Sequence, residues 1–135
     1  MEQGTIQGIK ANDHRILSRV ITRIENDDYV KDQRFIELYD QAQKAIRLGV
    51  TGPPGAGKST ITNELIKRFL KKNQTIGVIA IDPSSPFSGG ALLGDRVRMN
   101  HYNNDKSVFI RSMGTHGSLG GLARKTQEAG DILAA

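Results

Sequence analysis

The chain has 135 residues and no cysteine, and its 19 Lys and Arg outnumber 14 Asp and Glu to leave a net charge of +5. That length holds one domain at most, enough for a core but short for a complete doubly wound nucleotide-hydrolysing domain. The lack of cysteine excludes disulfides, thiolate metal sites and a cysteine nucleophile; the positive excess suits a phosphate ligand but is too dispersed to indicate a nucleic-acid partner.

The opening Met1-Glu2-Gln3-Gly4 lacks the basic start and apolar run of a leader, and no stretch is apolar enough to span a bilayer. The expectation is a soluble cytoplasmic protein that makes no membrane contact. From Asp13 onward, Ile16, Leu17, Val20, Ile21 and Ile24 recur at helical spacing, with Asn12 or Asp13 placed to cap the helix. His14, at its start, is expected to face solvent. Asn26-Asp27-Asp28 breaks the pattern, and Val30, Phe35, Ile36, Leu38 and Tyr39 predict a second helix over 28–44. This N-terminal helical pair, residues 1–44, either packs on the following domain or serves a partner.

Residues 46–51, Ile-Arg-Leu-Gly-Val-Thr, read as a short buried strand. It runs into Gly52-Pro53-Pro54-Gly55-Ala56-Gly57-Lys58-Ser59, which fits the pattern G-x-x-x-x-G-K-[ST] and is followed by Thr60. The glycines let successive backbone N–H groups turn inward as a nest for a nucleotide β-phosphate. Lys58 can reach the β- and γ-phosphates, the Ser59 hydroxyl can ligate Mg²⁺, and a helix starting here aims its positive dipole end at the same anion. Pro53 and Pro54 stiffen the loop in advance. Ile61, Leu65, Ile66, Phe69 and Leu70 supply the apolar stripe of that helix, so strand, glycine loop and helix stand in the order that the motif requires.

The near-continuous apolar run 75–81 predicts a strand covered on both faces, as in parallel α/β sheets. It ends at Asp82, where the carboxyl end of such a strand puts an acidic residue close to the phosphate loop and its Mg²⁺; the other role open to Asp82 is a turn former before Pro83. Residues 83–94 are rich in turn formers and hydroxyls and read as a nucleotide-responsive loop. Asp95, with Arg96 and Arg98, either serves metal, water and phosphate or forms an ordinary surface ion pair. A helix is predicted over 91–102, with His101 near its end. A third strand is predicted at Val108-Phe109-Ile110-Arg111, then a glycine-rich connection that includes His116, and a helix through Leu122, Ala123, Thr126 and Ala129.

Four stretches, LGVTGPPGAGKST (48–60), VIAIDPSSPFSGGALLGDRVR (78–98), FIRSM (109–113) and LGGLARK (119–125), together resemble the methylmalonyl-CoA mutase-associated GTPase family, MeaB, also called ArgK, within the metallochaperone-type P-loop GTPases. The DPSSPFSGGALLGD stretch is far more specific than the phosphate loop. The resemblance implies an α/β P-loop NTPase with a mainly parallel sheet, 45–135 being its N-terminal part. It implies a GTP-binding and hydrolysing chaperone that docks on an adenosylcobalamin-dependent methylmalonyl-CoA mutase, gates cofactor loading and protects the enzyme.

Its cofactors would be GTP or GDP, bound by Gly52, Pro53, Pro54, Gly55, Ala56, Gly57, Lys58, Ser59 and Thr60, and Mg²⁺, held by Ser59 with Asp82 and Asp95. Lys58, Asp82 and Asp95 correspond to catalytic positions. Family members continue into a further strand, a γ-phosphate-sensing loop, a guanine-reading Asn-Lys-x-Asp motif and a dimerising arm, none of which is in these residues. The expectation is therefore that the 135 residues alone hydrolyse GTP poorly, and that the full-length protein is a homodimer. Two other readings stand beside this one: an ATP-dependent kinase associated with lysine, arginine and ornithine transport, and a non-catalytic interaction module.

Overall fold

The computed structural model describes residues 3–26, 28, 38, 40, 42, 44–82, 100–114 and 119–135. Seven-residue strands β1 (Ile76–Asp82) and β2 (Val108–Gly114) pair in parallel, in register from Ile76 opposite Val108 to Asp82 opposite Gly114. Parallel strands need long crossovers, which bring helices onto both faces. On one face lies α3 (Lys58–Leu70), whose Ile66 meets Val108 and Tyr102, with Ile76, Val78 and Ile110 packed around them. Tyr102 belongs to a short 3₁₀ turn, Asn100–Tyr102, on the connection between the strands.

On the other face lie α2 (His14–Glu25) and α4 (Leu119–Ala134), which share the larger core: Leu17, Val20, Ile21 and Ile24 against Phe109, Met113, Ala129 and Ile132. Gly77 is small for this reason, since a Cβ there would lie 3.0 Å from the Leu133 side chain. The predicted stripe of α2 is the buried one, and Asp13 caps the helix by accepting from the backbone N–H of Arg15 (2.9 Å) and Ile16 (3.2 Å). His14 departs from expectation. Its ring stands edge-on to Phe109 at 5.3 Å, with Nε2 3.2 Å from the Lys106 carbonyl, because the start of α2 abuts the turn before β2.

An additional helix, α1 (Gln3–Lys10), precedes α2 and buries Ile9 in the same core. Of the second predicted helix, Leu38, Asp40 and Ala42 are helical, with Leu38 and Ala42 buried; its other residues lie outside the described ones, apart from Asp28 and Lys44 at its limits. The predicted helix over 91–102 is described only at its 3₁₀ end, and His101 there stacks on Tyr102 with ring centroids 3.9 Å apart.

The predicted strand 46–51 is a correction. It carries no strand pairing, and Ile46, Leu48 and Val50 are 85%, 58% and 42% exposed. A strand exists only where a neighbour takes up its hydrogen bonds, and among the described residues β1 and β2 pair with each other and with no third strand. The segment is anchored instead by a side chain, Arg47 Nη2 to Asp131 Oδ1 of α4 at 2.5 Å.

A second tie joins the N-terminal helices to the sheet. Arg111 of β2 pairs with Glu25 and donates to Thr22 Oγ1 (3.0 Å) and Ser18 Oγ (3.2 Å), while Lys125 of α4 donates to the Glu25 carbonyl at 2.5 Å. Ile21, fully buried, is the sharper test of this packing: Ile21→Ala is expected to cost about 2–5 kcal/mol in chemical denaturation, and Ile46→Ala no more than about 0.5 kcal/mol.

Candidate phosphate-binding site

The loop at 52–59 has the backbone that its glycines predict. Gly55 and Gly57 sit at φ +77° and +90°, in the left-handed region that residues with a Cβ avoid. A turn closes inside the loop through Ala56 N–H to the Pro53 carbonyl at 3.2 Å. Gly57 is the N-cap of α3 and has no side chain to satisfy the first-turn amides. The helix therefore opens without a side-chain cap and with the positive end of its dipole at the loop. Its first turn contains no acidic residue to repel an anion.

Lys58 is turned back over this loop. Its Nζ donates to the carbonyls of Gly52 (2.8 Å) and Pro53 (2.9 Å). An ammonium has three N–H donors, so one remains for a ligand. Two bonds to the backbone fix the charge beside the open amides and remove most of the side-chain entropy that binding would otherwise cost. Ser59 is half-buried on the same turn, Thr60 is exposed, and Thr62 closes the first turn by donating to the Lys58 carbonyl at 2.9 Å.

Farther along the exposed side of α3, a 2.6 Å hydrogen bond from Lys67 and its charge hold the Glu64 carboxyl below the usual carboxylate range, and Glu64 in turn raises Lys67. Solvent screens that pair, which belongs to the helix surface.

Gly52 to Thr60 thus form one turn-and-helix-start feature with the Lys58 ammonium folded back on it. Asp82 ends β1 opposite Gly114, at the strand end where the sequence put it. Asp95, the loop 83–94 and His116 lie outside the described residues. Among the described residues no three His, Asp or Glu side chains gather into a metal cage. No helix of the described residues is long and apolar enough to cross a membrane. Sequence reasoning missed the two carbonyl bonds of Lys58; the pattern specifies the residue type and not its rotamer.

The profile of a family described as Methylmalonyl Co-A mutase-associated GTPase MeaB matches residues 17–135. A protein of Pyrococcus abyssi named as a GTPase is 51% identical over 128 residues, 95% of this chain and 40% of that one. The fused isobutyryl-CoA mutase of Cupriavidus metallidurans is 45% identical over 117 residues, 82% of this chain and 10% of its own. GTPase ArgK of Escherichia coli is 35% identical over 122 residues, 90% and 37% of the two chains. The chain thus spans about two fifths of the length of the P. abyssi relative.

The loop geometry gives a direct expectation. Gly57→Ala forces a Cβ into φ +90°, at a cost of roughly 1–2 kcal/mol. Thermal denaturation should show that loss, whereas Gly4→Ala, in α1 with open space around it, should leave the midpoint unchanged or raise it.

Proposed function

Because this chain belongs to the family of methylmalonyl-CoA mutase-associated GTPases, we propose that it is the phosphate-binding part of a GTP-binding and hydrolysing chaperone for an adenosylcobalamin-dependent methylmalonyl-CoA mutase. The observation that carries the reading is Lys58, held by two loop carbonyls at an uncapped helix start with one donor left over. A nucleoside diphosphate or triphosphate is the ligand that uses all of these features at once.

In this reading the reaction is phosphoryl transfer to water, and the protein supplies position and charge. The amides at 57–60 receive the β-phosphate, and the third N–H of Lys58 bonds the oxygens between the β- and γ-phosphates, where negative charge grows as the bond breaks. Mg²⁺, when bound, neutralises the same oxygens. Ser59, Asp82 and Asp95 are the residues that would hold it, and Asp82 or Asp95 also orients the attacking water. The mutase as partner is supported by the relative in which the matching stretch lies within a fused isobutyryl-CoA mutase. A homodimer at full length and a cytoplasmic location belong to the same proposal.

The transport-kinase reading would need transfer to an acceptor other than water. The ArgK relative carries the name GTPase, which favours hydrolysis. Calorimetric titration in Mg²⁺ separates the two when run on a chain with the C-terminal part that relatives have. GDP is expected to bind at least about tenfold more tightly than ADP, and Lys58→Ala to weaken GDP by roughly 10–100-fold, the loss of a charge-assisted hydrogen bond. Tighter binding of ADP would transfer the assignment to the kinase, and nucleotide binding indifferent to Lys58→Ala would overturn the site.

A further inference from the structure

A concave feature lies along the edge of β2 away from β1. An open groove of about 180 Å³ is lined by residues 108–111 of β2, by His14 and Ser18 of α2, and by Tyr102 and Asn103. Successive side chains of a strand point to opposite faces, so four consecutive residues can line one groove only along the strand's edge. β1 occupies the other edge, and among the described residues β2 has no further strand neighbour. The groove is therefore the unpaired edge of β2, walled by a helix on one side and a turn on the other.

Among the described residues, connection geometry keeps that edge free of a further strand. The link from β1 to β2 packs on the α3 face through Tyr102, whereas α4 lies on the opposite face. Crossovers between parallel strands are right-handed, so a strand reached from α4 returns toward the β1 side. Extension of the sheet in that way leaves β2 at its border.

The exposed cations near the groove stand on α2 and in the turn before β2. Helical spacing places Arg15 and Arg19 on the solvent side of His14, Ser18 and Thr22, and both are exposed. Lys106 sits in the turn at the start of β2. The nearby carboxylates are engaged internally: Asp13 caps α2, Asp105 accepts from the Ser107 backbone N–H at 2.8 Å, and Glu25 pairs with Arg111. Arg111, part of the groove wall, also carries a buried Nε–H without an acceptor among the described residues. A border strand flanked by cations repels a basic chain and admits an acidic one.

We propose that the free edge of β2 is a docking site for an extended acidic peptide of a partner protein, which adds to the sheet as a further strand. Main-chain hydrogen bonds to β2 supply affinity, and Arg15, Arg19 and the groove cations select for carboxylates.

The probe is a fluorescein-labelled peptide of alternating Glu and Val, measured by anisotropy against the full chain, with a Lys-Val peptide and a single-stranded oligonucleotide as comparisons. The Glu-Val peptide should bind, slow amide hydrogen exchange at 108–111, and lose at least about tenfold in affinity in the Arg15→Glu/Arg19→Glu double variant, whose substitutions are on the surface and leave the core intact. No binding, equal binding of the Lys-Val peptide, or binding that leaves exchange in β2 unchanged would each overturn the proposal. Competition by the oligonucleotide without protection of β2 would assign the basic rim to general polyanion binding and overturn it as well. Affinity for GDP plays no part in these readouts.

Discussion

The parallel pairing of β1 with β2 is the constraint from which the other features follow. Two parallel strands cannot be joined by a hairpin, so the chain must cross from the end of one to the start of the next. Each crossing puts polypeptide over a face of the sheet, and the strands accordingly carry apolar side chains on both faces: Ile76 and Val78 toward α3, Ile79 toward α2 and α4. Parallel pairing also sends both strands' carboxyl ends, Asp82 and Gly114, to the same side. In sheets of this kind that side is where ligands bind.

The phosphate loop uses the α3 layer for a different purpose. α3 buries only Ile66 fully, and its N-terminus carries no side-chain cap. With glycine as the cap, the helix gives up a few tenths of a kcal/mol of side-chain capping and leaves its first turn without a capping side chain. The two carbonyl bonds of Lys58 then hold a full positive charge at that place before any ligand arrives. Stability is given up at one end of a helix, and electrostatic preorganisation is gained there.

What could be read from the sequence followed from how local each interaction is. α2, α3, α4 and both strands were legible because an apolar period of 3.6, or an unbroken apolar run, reports burial directly. The phosphate loop was legible because its chemistry lies within eight consecutive residues. α1 was not: QGTIQGIK has two glycines and two isoleucines, and the helix depends on Ile9 reaching the core and on Gly8 leaving room for the Ile16 side chain. Residues 46–51 erred in the other direction, having the composition of a strand without a partner to make them one. Arg111 and Glu25, 86 positions apart, gave no sign of each other, and Asp95 lies where the structure does not describe the chain.

That Arg111 pair also decides how the N-terminal helices relate to the nucleotide fold. α2 begins beside the start of β2, where His14 meets Phe109, and ends beside the early part of α4, where the Glu25 carbonyl accepts from Lys125. A helix C-terminus carries partial negative charge, and the Glu25 carboxylate adds a full one. Cations from β2 and from α4 converge on that single point, and they come from the two elements that bracket residues 115–118. Glu25 and Arg111 are largely buried, so removing either partner leaves a charge in a poorly solvated place, a loss that costs several kcal/mol where a surface pair would cost a few tenths. α2 is therefore an integral layer of the sheet's second face, and a partner that pulled on it would act directly on β2 and α4.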